Sequence, residues 1–465
     1  MCSQHDDNPA SSSKQKEKGN AESKVNDHEI DNEMPDWETI ELPPDHILSH
    51  LVDIHCHPTD LTHSSNIYDD VKLGGLASMA TIIEDQDKVR ALSEDREWYN
   101  PSHTKNTERK GKGKGWDGKG VGVIACFGYH PWFTHLYTLS STIDSKPSKS
   151  EHYFQLFSPT SQKNKDLLES LLPYLPDPIP FQPLIDKLKD DIKRSLNEGR
   201  LTMLGEVGLD GSARMRWPKK AKHLHPDHAN KDQDSHKVKN HKFDDDQEEV
   251  EEWKRLTPFK VPMSHQRAIL EKQMDLAVEL GVNVSFHSVA CAGPSLDLLI
   301  SMRNKHGIKF TNGINVDIHS AGGWSAEFWK QAERNLSNIY ASPSIFITGR
   351  SPNASSLLST ISKDRLLVES DSHDVRLSDR LVWASAAWIA NCKKWKLESR
   401  DQATTETSPE NKSSFEEWSF DDEDKSDDGD DEFDEKGKLK TTKRDETDVW
   451  TVKTLEKNWY RFMRL

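Results

Sequence analysis

Residues 51–58 read Leu51-Val52-Asp53-Ile54-His55-Cys56-His57-Pro58. An apolar run that stops abruptly in polar residues has the form of a buried strand ending at a rim. On extended backbone, side chains at i and i+2 point to the same side, so the imidazoles of His55 and His57 can reach one cation. Taken alone, a His-x-His pair is as readily two satisfied histidines at a strand end. Four later strand-like runs, however, also end in a residue able to ligate a metal.

The fourth apolar run, Arg200–Leu204, leads into Gly205-Glu206-Val207-Gly208-Leu209-Asp210, and the fifth, Val282–Phe286, ends in His287. The sixth, Gly313–Ile318, ends in His319, and the eighth, Arg365–Glu369, in Ser370-Asp371. Between them lie a second run at Leu76–Ile83, a third at Val121–Phe127 entering Gly128-Tyr129-His130-Pro131-Trp132, and a seventh near Ile339–Ile347. Helical spacing fills the connections: Glu84–Glu97, Pro183–Glu198 with Gly199 beyond it, Ser264–Leu280 with a serine cap and Gly281 behind, Ser295–Lys305, Ser325–Leu336 and Leu377–Lys394. A last helix spans about Val449–Phe462. Eight strands alternating with helix-sized connections predict an α/β fold, a (β/α)8 TIM barrel. In that architecture functional groups sit at the C-terminal strand ends, which places six ligand-type residues on one rim.

Only 34% of the 465 residues are hydrophobic and 30% are charged, so long stretches must be solvated rather than core. Residues 1–45 read as a disordered tail, 46–400 as the barrel with insertions near 99–119, 140–180 and 218–256, 401–446 as an acidic disordered insertion, and 447–465 as a helix packed on the barrel. Of the 15 residues from Asp421 to Glu435, 11 are Asp or Glu. The histidines of 218–256 are too scattered for a compact ligand set. A net charge of −16 excludes a general basic coat for nucleic acid and requires local positive charge for any anionic substrate. Five cysteines without a C-x-x-C pair suggest a reducing compartment. With a polar N-terminus and no run of 18 apolar residues, the expectation is a cytoplasmic or nuclear protein with no membrane partner.

The motifs resemble the TatD family of metal-dependent hydrolases. Asp53, His55 and His57 match its opening Asp-x-His-x-His, Gly128 to Pro131 its Gly-x-His-Pro, and Gly205 to Asp210 its Gly-Glu-x-Gly-Leu-Asp signature in full. Thr454, Asn458, Arg461 and Phe462 are similar to its closing helix, with one extra residue after Thr454.

The resemblance implies two divalent cations, Mg, Mn, Zn or Fe, for which imidazole and carboxylate donors are suited. His55, His57 and Asp371 would hold one, His287 and His319 the other, and Glu206 would bridge them. Asp371 would also serve as general base. His130 would contact substrate phosphate or complete an accessory metal site, or else simply pack under Trp132. Arg214 and Arg216 are candidates for a phosphate contact. The implied activity is phosphodiester hydrolysis of DNA. The chain departs from the family at Ser288-Val289-Ala290, where an Arg and an acidic residue are usual, at Ser372-His373-Asp374 in place of Ala-Pro-aromatic, and at Ala321 in place of an aromatic. It is most similar to a fungal branch with members described as partners of an anaphase-promoting-complex subunit. The alternative is therefore an interaction protein working through its acidic segments.

Overall fold

The computed structural model describes residues 34–61, 65–100, 121–140, 146–226, 255–398 and 449–465. Most of the charged stretches 1–36, 99–119, 218–256 and 401–446 lie outside these. Seven parallel strands follow one another round a single sheet: β1 (Val52–Cys56), β2 (Gly75–Met79), β3 (Gly122–Phe127), β4 (Thr202–Asp210), β5 (Val284–Val289), β6 (Val316–His319) and β7 (Ile339–Ser342). The eighth segment closes the ring by hydrogen bonds. Leu367 N donates to Ala341 O at 2.9 Å, Ile54 N to Val368 O at 3.2 Å, and Asp371 N to His55 O at 3.0 Å. The chain is thus a closed TIM-type barrel whose eighth member is irregular, its only paired bridge among the described residues being Ala341 with Leu366.

Strand β4 is longer than its apolar run suggests. Its register with β5 continues through Val207–Phe286, Gly208–His287, Leu209–Ser288 and Asp210–Val289, so the signature lies on a strand rather than in a loop. Gly208 permits this, since a Cβ there would stand 2.1 Å from His287 O. Strand β7 is shorter than expected, because the chain turns away after Ser342. Helix Met263–Leu280 starts from Pro262 without a side-chain cap, not from a capping Ser264, while Gly281 ends it in the left-handed region as the sequence indicates.

Three apolar clusters hold the fold. The largest lies between strands and helices and supplies most of the burial that drives folding. A second gathers Ile54, Met79, Cys126, Met203, Tyr340 and Leu367 from round the ring against Trp459, Phe462 and Met463 of helix Thr451–Met463. That helix plugs the end of the barrel where the strands begin: Asn283 and Asn315 donate to Phe462 O at 2.6 and 2.7 Å, and Asn458 donates to Leu366 O at 2.8 Å.

The third cluster corrects the reading of 140–180 as loose chain. Capped helices Lys149–Phe157 and Gln162–Leu171 pack Tyr153, Leu168 and Leu171 against Met215, Trp217 and Phe259. Arg214–Arg216 and Leu256–Lys260 pair there as an antiparallel ribbon, so two excursions build one satellite core. Within the stretch read as a tail, Trp37, Ile40 and Leu42 pack on the main core, and Trp383 Nε1 donates to Glu41 O at 3.0 Å. Among the described residues no helix is long and apolar enough to cross a membrane.

Candidate metal centre

The strand ends deliver His55, His57, Glu206, His287, His319 and Asp371 to one buried cluster. His55 Nε2 and His57 Nε2 stand 3.1 Å apart, and Asp371 Oδ1 lies 3.7 and 3.5 Å from them. Glu206 occupies the middle. Its Oε2 is 3.8 Å from His55 Nε2 and 3.4 Å from His57 Nε2. Its Oε1 is 2.7 Å from His287 Nδ1 and 3.1 Å from His319 Nε2. The carboxylate therefore faces one histidine pair with each oxygen, the arrangement a bridging ligand requires. Two imidazole nitrogens at 3.1 Å repel unless a proton or cation lies between them, so this donor set fits divalent cations.

The remaining ring nitrogens fix the rings. His55 Nδ1 contacts Ser285 Oγ at 2.7 Å. His287 Nε2 contacts Asp210 Oδ2 at 3.2 Å, leaving Nδ1 for the cluster. A carboxylate behind a ligating histidine sets its tautomer and raises its basicity. Asp210 also accepts from the Trp132 indole N–H and from Ser212 N and Oγ, while Gln266 binds its backbone N and O at 2.8 and 3.0 Å.

Asp53, Asp317 and Glu369 each precede a ligand by two residues and form a buried layer of acids. Asp53 accepts from Ser370 N at 2.8 Å and Ser370 Oγ at 2.6 Å, tying β1 to the segment carrying Asp371. Ser342 Oγ bridges Asp317 and Glu369 at 2.7 and 2.5 Å. Asp371 and Ser320 adopt left-handed backbone, φ 53° and 44°, which costs a non-glycine residue roughly 1 kcal/mol. Bonds from Asp371 N to His55 O and from Ser320 N to Ser342 O, both 3.0 Å, hold them there.

The charges respond to this packing. Burial alone would discharge His57, but its hydrogen bond to Asp371 and the Glu206 carboxylate outweigh it and push the ring up to about 9. Burial likewise opposes charge on His287, which Asp210 and Glu206 raise to about 9. Asp371 falls to about 2, because His57, His55 and His319 overcome its desolvation. His55 is held well below the usual imidazole range by burial and by His319. Two rings thus carry protons where a cation would otherwise supply the charge.

His130 joins the cluster, with Nε2 3.2 Å from Glu206 Oε1. Burial lowers it to about 4, so the ring is neutral. Its Nδ1 accepts the Trp132 backbone N–H, which orients it as a donor toward the cluster. Arg214 stands apart: it is exposed on the ribbon and its guanidinium donates to Pro258 O at 3.0 Å. Arg216 is the better linked of the two, 5.5 Å from the Trp132 ring. Sequence reasoning assigned no role to Asp210, although it closes the quoted signature, nor to Ser285, whose signal is its i−2 spacing from His287 on a strand.

Residues 52–410 match the family model described as TatD related DNase. The chain is 27% identical over 380 residues to the Cut9-interacting protein scn1 of Schizosaccharomyces pombe, spanning 75% of this chain and 94% of that protein. It is 24% identical over 275 residues to an uncharacterized deoxyribonuclease of Saccharomyces cerevisiae, spanning 57% of this chain and 73% of that one. Solved structures it resembles include a TatD homolog from Escherichia coli, at 15% identity and TM-score 0.36 over 77% of this chain and 95% of the other. An uncharacterized amidohydrolase from Saccharomyces cerevisiae is similar at 10% identity and TM-score 0.42, over 74% and 94%.

Proposed function

The chain belongs to the TatD related DNase family, and from that premise we propose that it is a divalent-metal-dependent phosphodiesterase acting on DNA. The observation that carries this reading is the placement of Glu206, one oxygen facing His55 and His57 and the other facing His287 and His319. His55, His57 and Asp371 would hold one cation, His287 and His319 a second, and Glu206 would serve both. Such cations would supply Lewis acidity at the phosphoryl group and would lower the pKa of water from about 15.7 toward about 7. Asp371 orients the attacking water and takes its proton. His130 donates its Nε2–H to a phosphate oxygen, and Arg216, with Arg214, supplies positive charge at the rim.

Metal analysis of the purified chain, followed by hydrolysis of end-labelled DNA with Mn or Mg and with EDTA, tests the reading. Bound divalent metal and EDTA-sensitive cleavage are expected. A chain that binds no divalent ion overturns it.

A second reading rests on the relative named for its interaction with Cut9, which this chain matches over 94% of that relative's length. A protein partner would then be held through the acidic stretch 421–435. Such binding weakens steeply with salt, since exposed charges are screened within about 8–10 Å at physiological ionic strength. Charge-neutral replacement of Asp421, Asp422, Glu423 and Asp424 should reduce it and leave hydrolysis intact. Salt-insensitive association rules this route out.

A further inference from the structure

At the end of the barrel where the strands begin, opposite the ligand cluster, helix Thr451–Met463 borders a groove of about 600 Å³. Lys363, Lys453, Lys457 and Arg461 line it. Its one acid among the described residues is Asp364, which pairs with Arg365 at 3.6 Å. Lys453, Lys457 and Arg461 follow at intervals of four, so they form a row about 6 Å apart along one side of the helix. Like charges at that spacing repel and weaken a helix. The helix has a single acid, Glu456, and it is turned to His50 at 3.0 Å. Among the described residues Lys363, Lys453 and Arg461 make no ion pair, in a chain whose net charge is −16.

The row is held in place from below. Buried Asn458 donates to Lys363 O and Leu366 O, both at 2.8 Å, and its Oδ1 accepts from the Arg461 guanidinium at 3.0 Å. At the other edge Lys396 Nζ stands 5.6 Å from the centre of the Trp450 ring. Lys396 N donates to Val449 O at 2.9 Å, and Val449 and Trp450 themselves line the groove. The chain between Glu398 and Val449 therefore leaves and returns at the groove. That stretch holds the acidic tract, 11 Asp or Glu among the 15 residues from Asp421 to Glu435.

We propose that the groove holds this tract in cis, with Asp428, Asp430, Glu432 and Asp434 facing Lys363, Lys453, Lys457 and Arg461. These four acids alternate along the sequence. An extended chain repeats on one side about every 6.6 Å, close to the spacing of about 6 Å between helix positions four apart. Residues 435–448 can span about 50 Å from Val449, so the groove is within reach. A flexible tether holds its load at an effective concentration on the order of 1 mM, which an acidic partner or a second copy of the chain must exceed to displace it. Asp421, Asp422, Glu423 and Asp424 stay open to a basic partner. The inference depends on neither reading of the chain's function.

The test is coupling by a water-soluble carbodiimide, which joins a lysine amine to a carboxylate in contact with it. It is applied to the full chain, mixed in equal parts unlabelled and ¹⁵N-labelled, and read by mass spectrometry. Lys363, Lys453 and Lys457 should couple to residues 428–434 within one isotopic copy. Those couplings should be lost in 1 M salt, where charges are screened beyond about 3 Å. Exposed Lys394 lies close to the point where the tether leaves but outside the groove, and serves as the control for proximity. Lys453→Gln combined with Lys457→Gln should lower coupling of Lys363 to the tract about 2- to 30-fold, the scale of two exposed ion pairs, with coupling of Lys394 undiminished. Neutralising the four alternating acids to Asn and Gln should likewise lower coupling of Lys363 to Asp427, Asp431 and Glu435. Wild-type coupling as strong at Lys394 as at Lys363, or a Lys363 yield that neither variant lowers, overturns the proposal. Coupling between isotopic copies replaces cis docking with a second copy and overturns it too.

Discussion

His130 Nδ1 accepts the backbone N–H of Trp132 at 3.1 Å. A backbone N–H can only donate, so the neutral ring carries its own proton on Nε2, the atom 3.2 Å from Glu206 Oε1. Nε2 then has no lone pair for a cation and serves as a donor. His130→Ala should leave metal content unchanged while lowering kcat/KM about 10- to 100-fold, the scale of a hydrogen bond to a charged group. Metal analysis beside steady-state kinetics checks this, and a matching loss of metal would make His130 a ligand.

Glu206 and Asp371 should separate in the same pair of measurements. Glu206→Ala removes the carboxylate facing both histidine pairs, and bound metal and hydrolysis should disappear together. Asp371→Asn keeps an oxygen of the same size but no basic carboxylate. Much of the metal should remain while the single-turnover rate drops on the order of 10²–10⁴-fold. An undiminished rate would remove Asp371 from the chemistry.

Asp210→Asn tests positioning. The amide can still contact His287 Nε2 but no longer polarises the ring, so metal affinity should fall about 10- to 100-fold. Isothermal titration with Mn measures it, and raised metal concentration should restore the rate. A rate loss that excess metal cannot rescue would assign Asp210 another role.

The pH dependence of the metal-free chain has a definite sign. His57 and His287 sit at about 9 when folded against 6.5 for a free ring, because their carboxylate neighbours outweigh burial. Between those values the folded chain keeps protons that the unfolded chain has released. The stability they contribute is fully present below about pH 6.5 and lost as pH rises through about 9. Thermal scans in EDTA should show Tm falling from pH 6.5 to 9, and saturating Mn should flatten the decline, since metal replaces those protons. A Tm in EDTA that stays level or rises would contradict the assignment.

Much of this was legible in the sequence, for a physical reason. A parallel barrel confines chemistry to strand ends, so six ligand-type residues at the ends of five apolar runs could be read without coordinates. What depends on one strand's position against another could not be. The continuation of β4 past Gly205 is dictated by its pairing with β5, and the roles of Asp210 and Ser285 exist only across strands. The helices of 146–180 were hidden because their apolar residues pack against a ribbon far along the chain, not against the barrel's main core.

Removal of 401–446 should leave cooperative unfolding largely intact. The ends of that segment are fastened side by side: Lys396 N donates to Val449 O and Thr451 N to Lys396 O, both at 2.9 Å, and the Glu398 carboxylate accepts from Val452 N and Lys453 N at 2.9 and 3.0 Å. A short linker can span that gap, and Tm should shift by only a few degrees. Insolubility or loss of the transition would make the acidic segment part of the core.

The satellite core takes its side chains from segments on either side of β4 and none from the eight barrel segments. Mutations there can reshape the surface that carries Arg214 and Arg216 while every ligand-bearing strand keeps its register. Divergence among duplicated copies of such a gene can therefore run fastest in what is recognised and slowest in which bond is broken. Grafting the two excursions as a unit onto another barrel of this kind is the corresponding engineering route.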